Sequence, residues 1–146
     1  MKKLSTLGVA AALAVTWSLG LAQDKAKQGT TKEVVFVSSE KADFKEVVPG
    51  ISKAALWGNA KTGAYGAFTK FAPGIDNGMH THSHDVWLMV IKGAYLYKDE
   101  AGEKRVGPGD FLRVPAGKKH WSGGDKIEGA LFYEEASGKF DLIPTK

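Results

Sequence analysis

Gly74-Ile-Asp-Asn-Gly-Met-His80-Thr-His82-Ser-His84 holds three of the four histidines of the 146-residue chain, at every second position. A β-strand sends alternate side chains to one face. If a strand runs through this stretch, three imidazoles point the same way. The fourth histidine, His120, follows Pro115-Ala-Gly117. Neutral imidazole is the commonest metal ligand. Nearly all the histidine in the chain is thus placed where one metal centre could use it.

Outward from this stretch, the chain reads as all-β. Val34–Val37, Lys53–Trp57, Ala64–Phe71, Val86–Ile91, Ala94–Tyr97, Phe111–Val114, Glu128–Glu135 and Phe140–Ile143 are the strand candidates. Asp99-Glu-Ala-Gly102 and Gly107-Pro-Gly109 mark sharp turns, and most of the 18 glycines punctuate strand boundaries. No segment after the N-terminal region keeps a helical period over 12 residues without Gly or Pro. Short strands broken by Gly and Pro turns point to a sandwich or barrel.

The N-terminus reads differently. Met1-Lys-Lys3 is followed by an uncharged, apolar run from Leu4 to Ala22, with small residues at Gly20 and Ala22. That is the anatomy of a secretory signal peptide, residues 1–22, cut before Gln23. The competing reading is an uncleaved anchor, since about 18 or more apolar residues can span a bilayer. Polar residues 23–32 form a flexible tether, and 33–146 a single domain. A periplasmic or secreted protein is expected, with no membrane attachment once the signal is removed.

The whole chain carries a net charge of +4, and loss of Lys2 and Lys3 would leave +2. No basic cluster exceeds Lys118-Lys119 or Lys104-Arg105, so nucleic-acid binding has little support. The absence of cysteine excludes thiolate ligands, disulfides and a cysteine nucleophile. Any metal would sit among nitrogen and oxygen donors.

Two segments resemble the motifs of the cupin superfamily. Gly74, His80-Thr-His82 and Gly93 match the first pattern, Gly-x5-His-x-His-x(3–4)-Glu-x6-Gly. Gly109, Pro115-Ala-Gly117 and His120 match the second, Gly-x5-Pro-x-Gly-x2-His-x3-Asn. The resemblance implies a double-stranded β-helix, or jelly-roll barrel, able to hold a metal in its mouth. Carried over residue by residue, it assigns His80, His82 and His120 as ligands. It departs at two places: the family glutamate falls on Val86, and the family asparagine on Gly124. Three histidines with open positions suit Fe(II), Mn, Ni, Cu or Zn. His84 is a candidate fourth ligand if the chain bends inward after His82. Asp85 has the opposite strand parity.

His80-Thr-His-Ser83, Val90-Ile-Lys-Gly93, Gly107-Pro-Gly-Asp110, Pro115-Ala-Gly-Lys-Lys-His120 and Gly138-Lys-Phe-Asp141 also resemble a narrower bacterial cupin subfamily. That subfamily is similar to the cupin domains of some anti-sigma factors. The likeness implies a fold rather than a reaction.

If position 86 faces inward, as in that family, so do Leu88 and Val90, and Trp87, Met89 and Ile91 face out. An apolar outer row calls for a cover, either a second subunit in a homodimer or the N-terminal extension. Tyr65 and Phe68, or Tyr95 and Tyr97, are candidates to reach the pocket. Glu134-Glu135 does not read as an acid–base couple, because adjacent strand residues face opposite sides. Three functional readings follow. One is a metal-dependent, dioxygenase-like enzyme acting on a small molecule. Another is a non-enzymatic module that holds or senses a metal or small ligand. A metal-free barrel with a structural role is a third.

Overall fold

A computed structural model describes residues 34–146. The expected signal peptide and tether lie outside the described residues. Eleven strands form in the order β1 (Lys45–Val48), β2 (Ile51–Gly58), β3 (Tyr65–Phe71), β4 (Asp76–Thr81), β5 (Val86–Gly93), β6 (Tyr95–Asp99), β7 (Gly102–Val106), β8 (Phe111–Val114), β9 (His120–Gly124), β10 (Ala130–Ala136) and β11 (Ile143–Pro144). There is no helix among the described residues.

The strands make two antiparallel sheets, β1-β2-β3-β10-β5-β8 and β11-β4-β9-β6-β7. Strands far apart in sequence lie side by side: β3 against β10, and β4 against β9. This is the jelly-roll winding expected of the sequence. The apolar run of β5 is not buried on both sides. Val86, Leu88 and Val90 point into the barrel, while Met89 and Ile91 face solvent. Period-two geometry explains this in a run whose residues are all apolar.

Not every expected strand forms. Val34–Val37 is irregular and exposed, because no neighbouring strand pairs its backbone. At the C-terminus only Ile143–Pro144 pairs, with β4. Phe140 and Asp141 instead lie in a loop, here called the strap, that runs from Ser137 to Leu142 after β10. The strands β1, β4, β7 and β9 lack the apolar alternation that made others legible.

The barrel interior has two zones. Phe71, Tyr95 and Phe132 pack ring against ring at one end, with centroid separations of 5.0–5.7 Å. Cross-strand register then places Tyr65, Ala136 and Val86 at the other end of the large sheet. The opposing small sheet presents His80 beside His120. The apolar end is filled, and the polar end becomes the mouth.

Candidate metal centre

Strand β4 ends at Thr81, so of His80, His82 and His84 only His80 lies on regular sheet. A bulge between Asp76 and Met79 interrupts its pairing with β9. Gly78 sits in the bulge at φ +65°, a conformation L side chains rarely adopt. Its N–H donates to Asp76 Oδ1 at 2.8 Å, and its carbonyl accepts from His80 Nδ1 at 2.9 Å. The bulge therefore both aims His80 and sets its tautomer.

The same device recurs at the other two histidines. His120 opens β9, and its Nδ1 donates to the Lys118 carbonyl at 3.0 Å. His82 Nδ1 donates to the carbonyl of Asp141, across the mouth in the strap. With each Nδ1 carrying a proton, each Nε2 is left as a free lone pair. The three side chains can offer ring nitrogens that all lie within 4.8 Å of one another. His80 and His120 are paired across the strands, with ring centroids 4.3 Å apart. Among the described residues, these three form a group able to hold a metal ion.

One atom tests the fit. His120 Nε2 is buried and has no hydrogen-bond partner among the described residues. A buried, unsatisfied nitrogen costs roughly 1–3 kcal/mol. A cation bound there would use that lone pair. The donor set is also right for a transition metal: neutral imidazoles, each with its second nitrogen anchored on a carbonyl.

Protonation would oppose metal binding, and the site resists it. Burial depresses His80 to about 4; the Gly78 carbonyl partly offsets this, while the neighbouring His120 and His82 add to it. His120 is also depressed, first by burial. Their unfolded value is near 6.5. Between pH 6.5 and about 4 the unfolded chain takes up protons that folded His80 refuses. Stability is therefore fully present above 6.5 and falls as pH drops through that window. Thermal melts of chelator-treated protein from pH 7.5 to 4.5 should show this loss, about 2 kcal/mol for His80 after solvent screening. A His80→Ala variant should show a flatter profile.

His84 stands apart from the three. The chain bends at Ser83-His84, where Ser83 N–H donates to Asp141 Oδ1 at 2.9 Å. The His84 ring then packs against Gly138 of the strap, so closely that a Cβ on Gly138 would lie 2.2 Å from His84 Cδ2. His84 Nδ1 is buried without a partner. Asp85 accepts from Arg113 and from the Ala116 N–H rather than facing the histidines. Arg113 and Asp110 are surface and turn residues: Asp110 Oδ2 caps the Gly107 N–H at 2.9 Å.

Of the aromatic candidates, Tyr65, Tyr95 and Tyr97 face inward. Phe68 instead meets Tyr133 edge-on at 6.3 Å, on the side of β10 opposite Phe132. Tyr97 stacks on His120 at 5.3 Å, and its hydroxyl donates to Asp99 at 3.0 Å.

The residue that sequence reasoning missed is Glu134. Parity does separate the pair as expected, since Glu135 accepts from Tyr133 on the opposite side of β10. Glu134, however, is inward and only 6 % exposed. Its Oε1 accepts from Lys53 Nζ and, at 2.7 Å, from the Tyr65 hydroxyl. Burial, together with the Glu134 charge, pushes the Tyr65 hydroxyl far above its ordinary value. The signal was available. Ala130, Phe132, Glu134 and Ala136 share one face of a period-two strand, and all four are buried.

A jelly roll of two antiparallel sheets, with histidines from β4 and β9 converging at its polar end, is a cupin barrel. The chain belongs to the ChrR Cupin-like domain family, whose profile matches residues 32–137. No curated protein matches it. Among solved structures, KdgF from Halomonas sp. is 24 % identical, with 75 % of this chain and 96 % of that one covered, at a TM-score of 0.61. The polyketide cyclase RemF from Streptomyces resistomycificus is 16 % identical over 78 % and 87 % of the two chains, at a TM-score of 0.64. Rhodobacter sphaeroides SigE in complex with the anti-sigma ChrR gives 17 % identity, 67 % and 50 % coverage, and a TM-score of 0.54. At such identities the likeness is one of fold.

Proposed function

We propose that this protein is an exported, metal-binding cupin in which His80, His82 and His120 hold one divalent ion for work on a small molecule. The observation that carries the reading is the buried, unpartnered Nε2 of His120 beside two further imidazoles anchored through Nδ1. The family carboxylate has no counterpart in this ligand set, because Val86 occupies its position. A three-imidazole set adds no negative charge, which favours Zn, Cu, Ni or Fe(II) over harder cations. When bound, such an ion would supply Lewis acidity or a redox couple, the requirement of a dioxygenase-like enzyme. The protein's own part is to hold three neutral imidazoles in one tautomer and to keep the mouth dry.

Export rests on the N-terminal sequence, with its charged start, apolar run and small residues before Gln23. A homodimer through the outer face of the large sheet is supported by Met89, Ile91 and Phe111, which expose apolar surface there. A second reading is a module that holds a metal or ligand without turnover. It is favoured by the lack of room beside His82: the crevice bounded by His82, His84, Val86, Ala136 and the strap is too small for a substrate as it stands.

The experiment is metal analysis by plasma mass spectrometry on untagged protein purified without chelators. One equivalent of a transition metal per chain is expected, and His84→Ala should retain it. If the wild type stays empty after reconstitution with Fe(II), Mn, Ni, Cu and Zn in turn, the metal reading fails. With metal in place, consumption of O2 only in the presence of a small-molecule substrate would favour the enzyme, and its absence the module.

A further inference from the structure

Among the described residues, the Phe140 ring touches both the imidazole triad and the buried charges opposite it. Its centroid lies 5.7 Å from the His82 ring and 6.4 Å from the Tyr65 ring, which it meets at 83°. Lys53 Nζ stands 4.1 Å from its centroid. The histidines come from the small sheet and its β4–β5 loop, whereas Lys53, Tyr65 and Glu134 come from β2, β3 and β10 of the large one. The ring thus fills the gap between two polar clusters on opposite walls of the barrel.

We propose that Phe140 is an internal occupant of the ligand pocket, and that the ligand displacing it is a flat ring bearing phenolic or enolic oxygens. The ring of that ligand would lie where Phe140 lies, between the triad and Lys53–Glu134–Tyr65. This deepens the metal-binding reading and rests on it for the role of the triad; the pocket itself is defined by the opposite wall.

Three observations carry the proposal. First, the surroundings of Phe140 are those that recognise a π face. A cation sits over it, an aromatic edge meets it, and an imidazole tilts against it. Second, the opposite wall is costlier than packing requires. A buried ion pair is often replaceable by apolar residues without loss of stability. Here one is kept under an aromatic ring, and both of its bonds fall on Glu134 Oε1, so Oε2 is left to accept an O–H from a ligand. Third, the strap can leave without breaking a sheet. Phe140 N–H donates to Ala60 O, Ser137 N–H to Asp85 O, and Asp141 accepts from His82 and Ser83. All these partners lie in loops, and Phe140 itself is 39 % exposed.

The test is calorimetric titration of metal-free protein, held in chelator, with catechol and with benzene. Phe140→Ala is the opening variant. Phe140→Leu, a smaller perturbation, stands beside it, and both are checked for a cooperative melt. Catechol should bind Phe140→Ala at least tenfold tighter than wild type, with Phe140→Leu between them. Adding Lys53→Met and Glu134→Leu together should cost catechol at least tenfold and leave benzene unchanged. An apolar hole alone takes up benzene, as an engineered cavity of about 150 Å³ does. The proposal is overturned if opening the strap does not tighten catechol, or if the double substitution affects catechol no more than benzene. Zn(II) is added last. If catechol binds without metal and Zn(II) neither binds nor tightens it, the metal reading fails while the pocket stands.

Discussion

His120→Ala is expected to weaken Zn(II) binding by more than about 100-fold, beyond the 10–100-fold that loss of an outer partner costs. The same substitution should change the stability of the metal-free protein little. His120 is fully buried, so truncation leaves a cavity against Tyr97. It also removes an unsatisfied Nε2 whose burial already costs roughly 1–3 kcal/mol. The two effects oppose each other, the lost Nδ1 bond to the Lys118 carbonyl adds to the cost, and a net loss of about 1 kcal/mol follows. In wild type, excess metal should raise the melting temperature by mass action, and in the variant that rise should vanish. Titration with a competing chelator and parallel melts read both quantities. A variant that kept the metal-induced rise would remove His120 from the ligand set. A variant that simply unfolded would show a packing role instead.

Lys53→Met should destabilise the protein by about 3 kcal/mol, the usual scale for leaving one partner of a buried pair alone. Glu134 is nearly buried, and the Lys53 side chain is only 15 % exposed. With Lys53 gone, the carboxylate keeps only the Tyr65 hydroxyl. Adding Glu134→Leu to Lys53→Met should recover most of the loss, because the uncompensated charge goes with it. Urea unfolding at neutral pH, where the midpoint shift reports stability if the slope is constant, measures both. A fully additive double variant would mean that the two groups do not act as a pair.

The barrel was legible because its signals are local. Tyr65–Phe71 and Val86–Gly93 alternate inner and outer residues as period-two strands must, and the turns at Asp99 and Gly107 are built from side chains that cap nearby N–H groups. Alternation alone would have put His80, His82 and His84 on one face, but the strand stops at Thr81; it was the likeness to the two cupin motifs that joined His120 to His80 and His82. Local patterning failed at Val34–Val37, where β-branched residues have strand character but no edge to pair with. It also left the place of His84 open, because the bend at Ser83 depends on Asp141, 58 residues away.

By itself, then, the sequence determined the strand-rich fold through its period-two spacing, while the inward face of β5 and the set His80, His82 and His120 came from the resemblance of two motifs to the cupin patterns. Only the tertiary structure decided that the strap supplies the carbonyl holding His82, and that His84 packs on Gly138. It alone set Glu134 against Lys53 and Tyr65, under the ring of Phe140. Those contacts join strands and loops far apart in sequence. Their partners are chosen by the closing of two sheets over one another, which no periodicity in the chain records.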